Sequence, residues 1–513
     1  MNTVIWKKRL SARWLRPVLC AAAAVLFLAV IYAIAYHNTD LWNLWLPASP
    51  NNDEVIYNRQ VAGVVSGGQP KGVFGYNETR ATVGHFGAWG PVLILLYGIP
   101  GVLFGSGVNM MFWCNVLFAV VGWTIFAVGA GLSWRKQLIF AVAFALAWQP
   151  AEQVFSGSAE ASQNFLIFCI LGGTIALQRN FRRGWFWGVE AACAIITVVR
   201  AYTVILWIFP VVFLWKKHRK YAWASVGMAA VSLVGYLVVT LLCNAPYLDV
   251  DVLDFGALTL LAQGDPLDAV VYQCQRIFGQ MQVLWNTYLA SSFARNPTQQ
   301  AIAFWLLLGI ELVTLASIVI DVRRSRPVGF RVCALLCTVG SQLIMLAFYT
   351  PDPLVRHYMM LFVLLLAAFV YESRLSLAML VPVILLQLWL PLTLWATPLP
   401  TYDATVDAQI QTVQSALQQS VDSCESTDTW DYTLTYAWAG ELFHGYLYAV
   451  PDGMGIQFDT TAYLADPNHK INSRYVMTHH GSKTEKRLLQ QDWHQLVSTQ
   501  DVVVYQRPEE ELQ

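Results

Sequence analysis

The sequence predicts an α-helical polytopic membrane protein with about eleven transmembrane helices and a small extracellular α/β domain at its C-terminal end. Three observations carry this reading. Of the 513 residues, 56% are hydrophobic and only 12% charged, against roughly 25% charged in soluble chains. Apolar runs recur along most of the chain, and its mean hydropathy is +0.47. Beyond residue 396 that pattern gives way to amphipathic and alternating segments. The formal net charge is zero, so charge balance offers no argument for a nucleic-acid partner.

The elements follow in order. "MNTVIWKKRLSARWLRP" is a basic start, and no small-x-small cleavage site closes the apolar run behind it, so 17–36 reads as an uncleaved first span. Further spans are expected over 109–131, 137–150, 163–178, 185–200, 201–215, 221–243, 301–321, 332–350, 357–371 and 375–396. The stretch 91–107, "PVLILLYGIPGVLFGSG", is short for a span and carries Pro91, Pro100 and several glycines. The Lys and Arg distribution decides its placement. If it does not cross and the N-terminus is cytoplasmic, the basic clusters at 7–16, 135–136, 179–183, 216–220, 323–331 and 374 all face the cytoplasm. They hold 19 of the 32 basic residues. If it crosses, every later cluster flips outward. The stretch is therefore expected to be re-entrant or interfacial, in a chain of the plasma or inner membrane with its C-terminal end outside.

This parity gives a multi-span domain over 1–396, with long outer segments at 37–108 and 244–300, and an extracellular domain over 397–513. In the latter, "TYDATVDAQIQTVQSALQQSVDSC" predicts an amphipathic helix. "SRYVMTHH" and "DVVVYQRP" predict strands, with a helix over "KTEKRLLQQDWHQLVST" between them. The nine cysteines show no zinc-site spacing, and only Cys274 and Cys424 lie clear of apolar runs.

Acids concentrate on the outer segments, so chemistry is expected there. Asp53-Glu54 opens a predicted helix, "DEVIYNRQVAGVVSGG", just past the first span. Two acids in a first helical turn suit the helix dipole and need mean no more than that. A carboxylate at a membrane surface also serves as a general base or holds a divalent cation such as Mg or Mn. The following "QPKGVFGYNETRATVGHFGAWGP" is rich in glycine and aromatics, with His85 among them, and suits either a carbohydrate-binding wall or an aromatic belt. Arg200 interrupts "AIITVVRAYTVILWIFP" with no acid within one turn. It either snorkels to the membrane edge or binds a lipid phosphate. In "YTPDPLVRHYMML", Arg356, His357 and Tyr358 stand outside any basic cluster, which suggests an anionic ligand or a loop ion pair with Asp352.

The layout resembles the GT-C class of membrane glycosyltransferases, which includes protein O-mannosyltransferases, lipid A aminoarabinose transferases and oligosaccharyltransferases. "DEVIYNRQVAGVVSGGQP" is similar to the class's D-E-x-x-Y stretch, and thus brings in Tyr57. "GAWGPVLILLYGIPGVLFG" is similar to its Pro-led hydrophobic segment. "SGSAEASQNF" falls where the class often has a second outer acid, here Glu160 rather than Asp. "RHYMML" resembles its late Arg-Tyr pair, with His357 inserted. The resemblance implies a GT-C-like fold and transfer of a sugar from a polyprenyl-phosphate carrier to an extracytoplasmic glycan, lipid or protein. Asp53 would be the base or a metal ligand, and Glu54 would support it. Arg200, Arg356 and His357 would hold the departing lipid phosphate, and segment 244–300 would form a lid. Two other classes handle lipid-linked sugars. An O-antigen-type polymerase would lack the early Asp-Glu loop, and a transporter or flippase would show paired broken spans.

Overall fold

The computed structural model describes residues 2–36, 53–67, 73–76, 82–86, 90–146, 153–244, 253–290, 299–350, 355–373, 379–383, 385, 403–438, 444–452 and 454–508. In chain order the helices are α1 Asn2–Tyr36, α2 Asp53–Gly67, α3 Gly90–Phe104, α4 Met110–Ala130, α5 Trp134–Leu146, α6 Glu160–Arg179, α7 Arg183–Val199, α8 Ile208–Trp215, α9 Arg219–Cys243, α10 Gly256–Gln263, α11 Pro266–Leu284, α12 Gln299–Arg323, α13 Gly329–Phe348, α14 Val355–Glu372, α15 Ala404–Asp422, α16 Thr461–Ala465 and α17 Lys483–Gln490. The strands are β1 Val73–Tyr76, β2 Thr82–Val83, β3 Thr433–Trp438, β4 Gly455–Thr460, β5 Tyr475–His479, β6 His494–Ser498 and β7 Val502–Gln506. The chain divides into two compact units. One is formed by Met1–Leu41, Asn115–Tyr236 and Asp251–Leu399, the other by Trp42–Cys114, Leu237–Val250 and Pro400–Gln513. All nine cysteines are free.

The first unit is helical, as expected of a multi-pass membrane protein. Among the described residues, five helices are long and apolar enough to cross a membrane: Met110–Ala130, Glu160–Arg179, Arg219–Cys243, Phe304–Arg323 and Gly329–Phe348. The first and third of these run across the division between the units. Shorter apolar helices cover Trp14–Val30, Ala201–Trp215 and His357–Glu372. Of the expected span over 375–396, only residues 379–383 and 385 are described.

At the centre of this unit is α14, which packs against α5, α6, α12 and α13. Its residues from Tyr358 to Phe369 are buried on every side, which is what an apolar circumference requires. Helices α4 and α6 cross at Gly129 and Gly172. A Cβ on Gly129 would sit 2.1 Å from the Gly172 carbonyl oxygen, so only glycine lets the two backbones meet.

The expected helix over 201–215 differs in its first half. Residues Ala201–Trp207 form a 3₁₀ helix before α8 begins. Arg200 is extended, with φ −143° and ψ 103°, outside helical space. Its carbonyl accepts from the Thr203 amide at 3.0 Å and the Thr203 hydroxyl at 2.7 Å, which starts the tighter winding. At about 2.0 Å rise per residue, this stretch brings the 15-residue segment to about 26 Å rather than about 22 Å.

At one end of α12, α13 and α14, Arg331 donates to Ser317 at 2.7 Å and Asp321 at 2.8 Å, with Glu372 at 3.4 Å. Glu372 also accepts from the first amides of α13, Phe330 and Arg331, at 3.2 and 3.0 Å. The buried guanidinium is thus matched by two carboxylates, one of which caps a helix N-terminus.

The second unit is a three-layer α/β structure. Its sheet runs β2-β1-β4-β3-β5-β7-β6. The β1–β4, β4–β3 and β3–β5 pairs are parallel, and β1–β2, β5–β7 and β7–β6 antiparallel. Leu434 and Tyr436 point to one face, with Ile410, Val413 and Leu417 of α15 and Val55 of α2. Ala437, Val476 and Val503 face the other, with Leu464, Leu488 and Trp493. Asp403 caps α15 by accepting from the Thr405 amide at 2.8 Å.

Both predicted tail strands appear, as β5 and β7. The predicted helix between them stops at Gln490. Asp492 takes a left-handed φ of 57°, the helix ends, and "HQLVS" becomes β6. Strands β1 and β2 come from the 53–104 region, not from the tail. The 91–107 stretch forms α3, which packs on α2. Its 15 residues rise about 22 Å, short of a hydrocarbon core of about 30 Å.

Candidate active site

In the helical unit, Glu160 opens α6 and Arg200 follows α7. Arg200 is 2% exposed. Its Nη2 donates to Glu160 Oε1 at 2.8 Å and its Nη1 to the Tyr202 hydroxyl at 2.9 Å. Gln163 satisfies its surroundings with its amide oxygen toward Arg200, accepting from Nε at 2.7 Å and Nη2 at 3.1 Å. The other Glu160 oxygen accepts from Ser158. Asn115 holds the loop before α6 by donating to the carbonyls of Gln153, Ser156 and Ser158 at 3.2, 2.7 and 3.0 Å. A charged pair this deep is stable only with its remaining donors and acceptors met, and here neighbouring side chains meet them.

Aromatic rings carry this cluster to the start of α14. The Tyr202 and Tyr349 rings meet edge to face at 6.3 Å, and Tyr349 and His357 at 5.8 Å. Tyr358 is buried beside His357, its hydroxyl without a hydrogen-bond partner among the described residues. Glu160, Arg200, His357 and Tyr358 therefore share one end of the bundle, while Arg331 and its carboxylates mark the other. The Arg356 side chain lies outside the described residues.

Within the expected lid 244–300, residues 253–290 are fastened to this same end. Arg276 donates to Asp254 at 2.5 Å and to the carbonyls of Ala347 and Tyr349 at 3.0 and 2.8 Å. Gln273 donates to Ala347 at 2.7 Å. Burial pushes the Asp254 carboxyl up, but hydrogen bonds from Tyr272, the Gly256 amide and Arg276 outweigh it and hold the carboxyl below its ordinary range. Any lid motion has to break these bonds.

In the α/β unit, α2 is more than a surface helix with acids in its first turn. Glu54 is 1% exposed and Tyr57 is buried. Arg59 donates to the Val450 carbonyl and pairs with Asp452 at 2.6 Å, which fixes α2 against the 444–452 segment. Burial lowers the Arg59 pKa, and Asp452 and Tyr448 offset part of that. Burial and then the Glu54 charge raise the Tyr448 hydroxyl well above its ordinary value. His85 is half-buried, its Nδ1 without a hydrogen-bond partner among the described residues. Its neighbour Phe86 bonds the end of α9, its amide donating to the Cys243 carbonyl at 2.7 Å. The Asp53 side chain lies outside the described residues. Among those described, no group of three or more His, Cys, Asp or Glu stands ready for a metal, and both Glu160 oxygens already accept hydrogen bonds.

Sequence reasoning missed Tyr202, Gln163, Tyr349 and Asp452. Tyr202 and Gln163 had local signals, two residues from Arg200 and one helical turn after Glu160. Asp452 had none.

No family model matches the chain, and no curated protein matches it. Among solved structures it is similar to the archaeal oligosaccharyltransferase AglB from Archaeoglobus fulgidus in complex with an inhibitory peptide and a dolichol-phosphate. That likeness has a TM-score of 0.49 and 11% identity, over 90% of this chain and 69% of that one. It is also similar to ArnT from Cupriavidus metallidurans, bound to undecaprenyl phosphate and in the apo state. Each has a TM-score of 0.40 and 12% identity over 94% of this chain, with 98% and 97% of those chains covered.

Proposed function

We propose that this chain is a membrane glycosyltransferase that moves a sugar from a polyprenyl-phosphate carrier to an extracytoplasmic glycan, lipid or protein. The observation that carries the reading is the buried Glu160–Arg200–Tyr202 cluster, joined through Tyr349 to His357 at one end of the bundle. A fixed guanidinium at that level suits a lipid-borne phosphate. We read that end as the outer one, because the Lys/Arg clusters fall at the opposite helix ends.

In this reading the acceptor hydroxyl attacks the anomeric carbon, the carbon–oxygen bond to phosphate breaks, and the lipid phosphate departs with the electron pair. Asp53 takes the hydroxyl proton, and Glu54 supports that position; if a divalent cation (Mg or Mn) takes part, Asp53 would hold it and it would supply Lewis-acid activation of the hydroxyl. Arg200 and Arg356, with His357 and Tyr358 beside them, stabilise the charge that develops on the leaving phosphate. Glu160 keeps Arg200 aimed. Tyr57 and His85 would contact the sugar or acceptor.

The test is reconstitution with labelled polyprenyl-phosphate sugars, comparing wild type with Asp53→Asn. Loss of a general base lowers turnover by about 10²- to 10⁴-fold. Equal turnover in the two proteins removes Asp53 from the mechanism.

A further inference from the structure

The α/β unit carries a cleft that the transferase reading does not use. It has a volume of about 660 Å³ and is lined by Asn468, Lys470, Arg487, Gln491, Asp492 and Arg507, among others. Arg487 is 6% exposed. Its Nη1 donates to the Leu464 carbonyl at 2.7 Å and its Nη2 to the His469 carbonyl. Its Nε–H is left buried without a hydrogen-bond partner among the described residues. Arg507 repeats the pattern. Its Nη1 donates to the Asn472 carbonyl at 2.9 Å and its Nη2 lies 3.5 Å from Asp431, while Nε has no partner. Asp466 and Asp431 neighbour these guanidiniums but do not line the cleft. The lining itself sets three cations against one carboxylate.

Backbone carbonyls fix both arginines, so their side chains are held in place before any ligand arrives. Buried N–H donors are nearly always met. Two unmet ones in a cationic cleft point to an acceptor supplied from outside. The volume falls in the range of small-molecule sites, and amides beside cations suit a ligand that bears hydroxyls as well as charge. We propose that this cleft binds an anionic sugar. Its carboxylate or phosphate would accept from Arg487 Nε, Arg507 Nε and Lys470, and its hydroxyls would bond Asn468 and Gln491. This site is independent of the transfer reaction, and its test needs no turnover.

Isothermal titration of the full-length protein in lipid nanodiscs, with digalacturonate, glucose 6-phosphate, maltose and inorganic phosphate, decides the matter. Digalacturonate or glucose 6-phosphate binds and maltose does not; whichever binds identifies the acid group. Lys470→Glu, at an exposed position, weakens that binding about tenfold or more. Arg487→Lys, which keeps the charge but drops the Nε–H, weakens it as well. If Arg487→Lys fails to fold, Lys470→Glu decides alone. The proposal is overturned if neither anionic sugar binds, if maltose binds as well as they do, or if inorganic phosphate binds as tightly as glucose 6-phosphate. It is equally overturned if the folded variants bind like wild type.

Discussion

At the scale of single residues, Arg200 and Glu160 depend on each other. With side chains only 1% and 7% exposed, neither charge has water to fall back on. Removing one partner of a buried pair costs about 3–5 kcal/mol, so Glu160→Ala is expected to lower the thermal unfolding temperature of the purified protein sharply. Glu485 makes a different prediction. Burial raises its pKa, but the Gly481 amide, the Tyr505 hydroxyl and His480 hold the carboxyl below its ordinary value. A depressed folded pKa contributes stability that is complete above the unfolded value, about 4.3, and is lost as pH falls through the folded one. The stability gap between wild type and Glu485→Gln should shrink steadily as pH falls below about 4. Thermal unfolding of both proteins across that range measures it. The sequence exposed Arg200 as an oddity within an apolar run but could not supply its partner. Glu160 lies 40 positions earlier and meets Arg200 only because α6 and α7 pack side by side.

At the scale of elements, the α4–α6 crossing sets where Glu160 stands. Gly172→Val would place a side chain against the Phe126 backbone, 2.7 Å from its Cα. Overpacking of this kind costs about 1–3 kcal/mol, and here it would also push the start of α6 out of line. Denaturant titration in detergent should show the loss, with the proposed transferase activity falling further than stability alone explains. A smaller effect is expected at α15, where Asp403→Ala removes the cap at a cost of about 1 kcal/mol. Most helices were legible from composition, because a long apolar run has few alternatives in lipid. The sheet was less so. "HQLVS" followed a strong helical pattern, and the left-handed turn at Asp492 that separates them carries no glycine to announce it. Residues 73–76 and 82–83 looked like an aromatic loop, since the strand that β1 pairs with lies near the other end of the chain. The 3₁₀ stretch after Arg200 left no periodic trace over seven residues.

For the molecule as a whole, the disposition across the membrane is open to direct test. Cys274 is an exposed natural thiol on α11, and the charge pattern predicts that it lies outside. His218, between the charges of "KKHRK", is expected inside. An impermeant maleimide added to intact cells should label Cys274 and fail to label His218→Cys in a Cys274→Ser background until the cells are opened. Labelling of position 218 from outside would reverse the arrangement. One feature of the α/β unit bears on how the protein comes into being. β1 pairs with β4 at Phe74 and Ile456, and Arg59 grips Asp452. The ribosome therefore delivers Asp53 well before the platform on which its helix rests. A nascent chain interrupted before Asp452 would possess its proposed base yet lack the means to seat it. Competence to act on a lipid-borne sugar would then begin only once synthesis has passed Asp452.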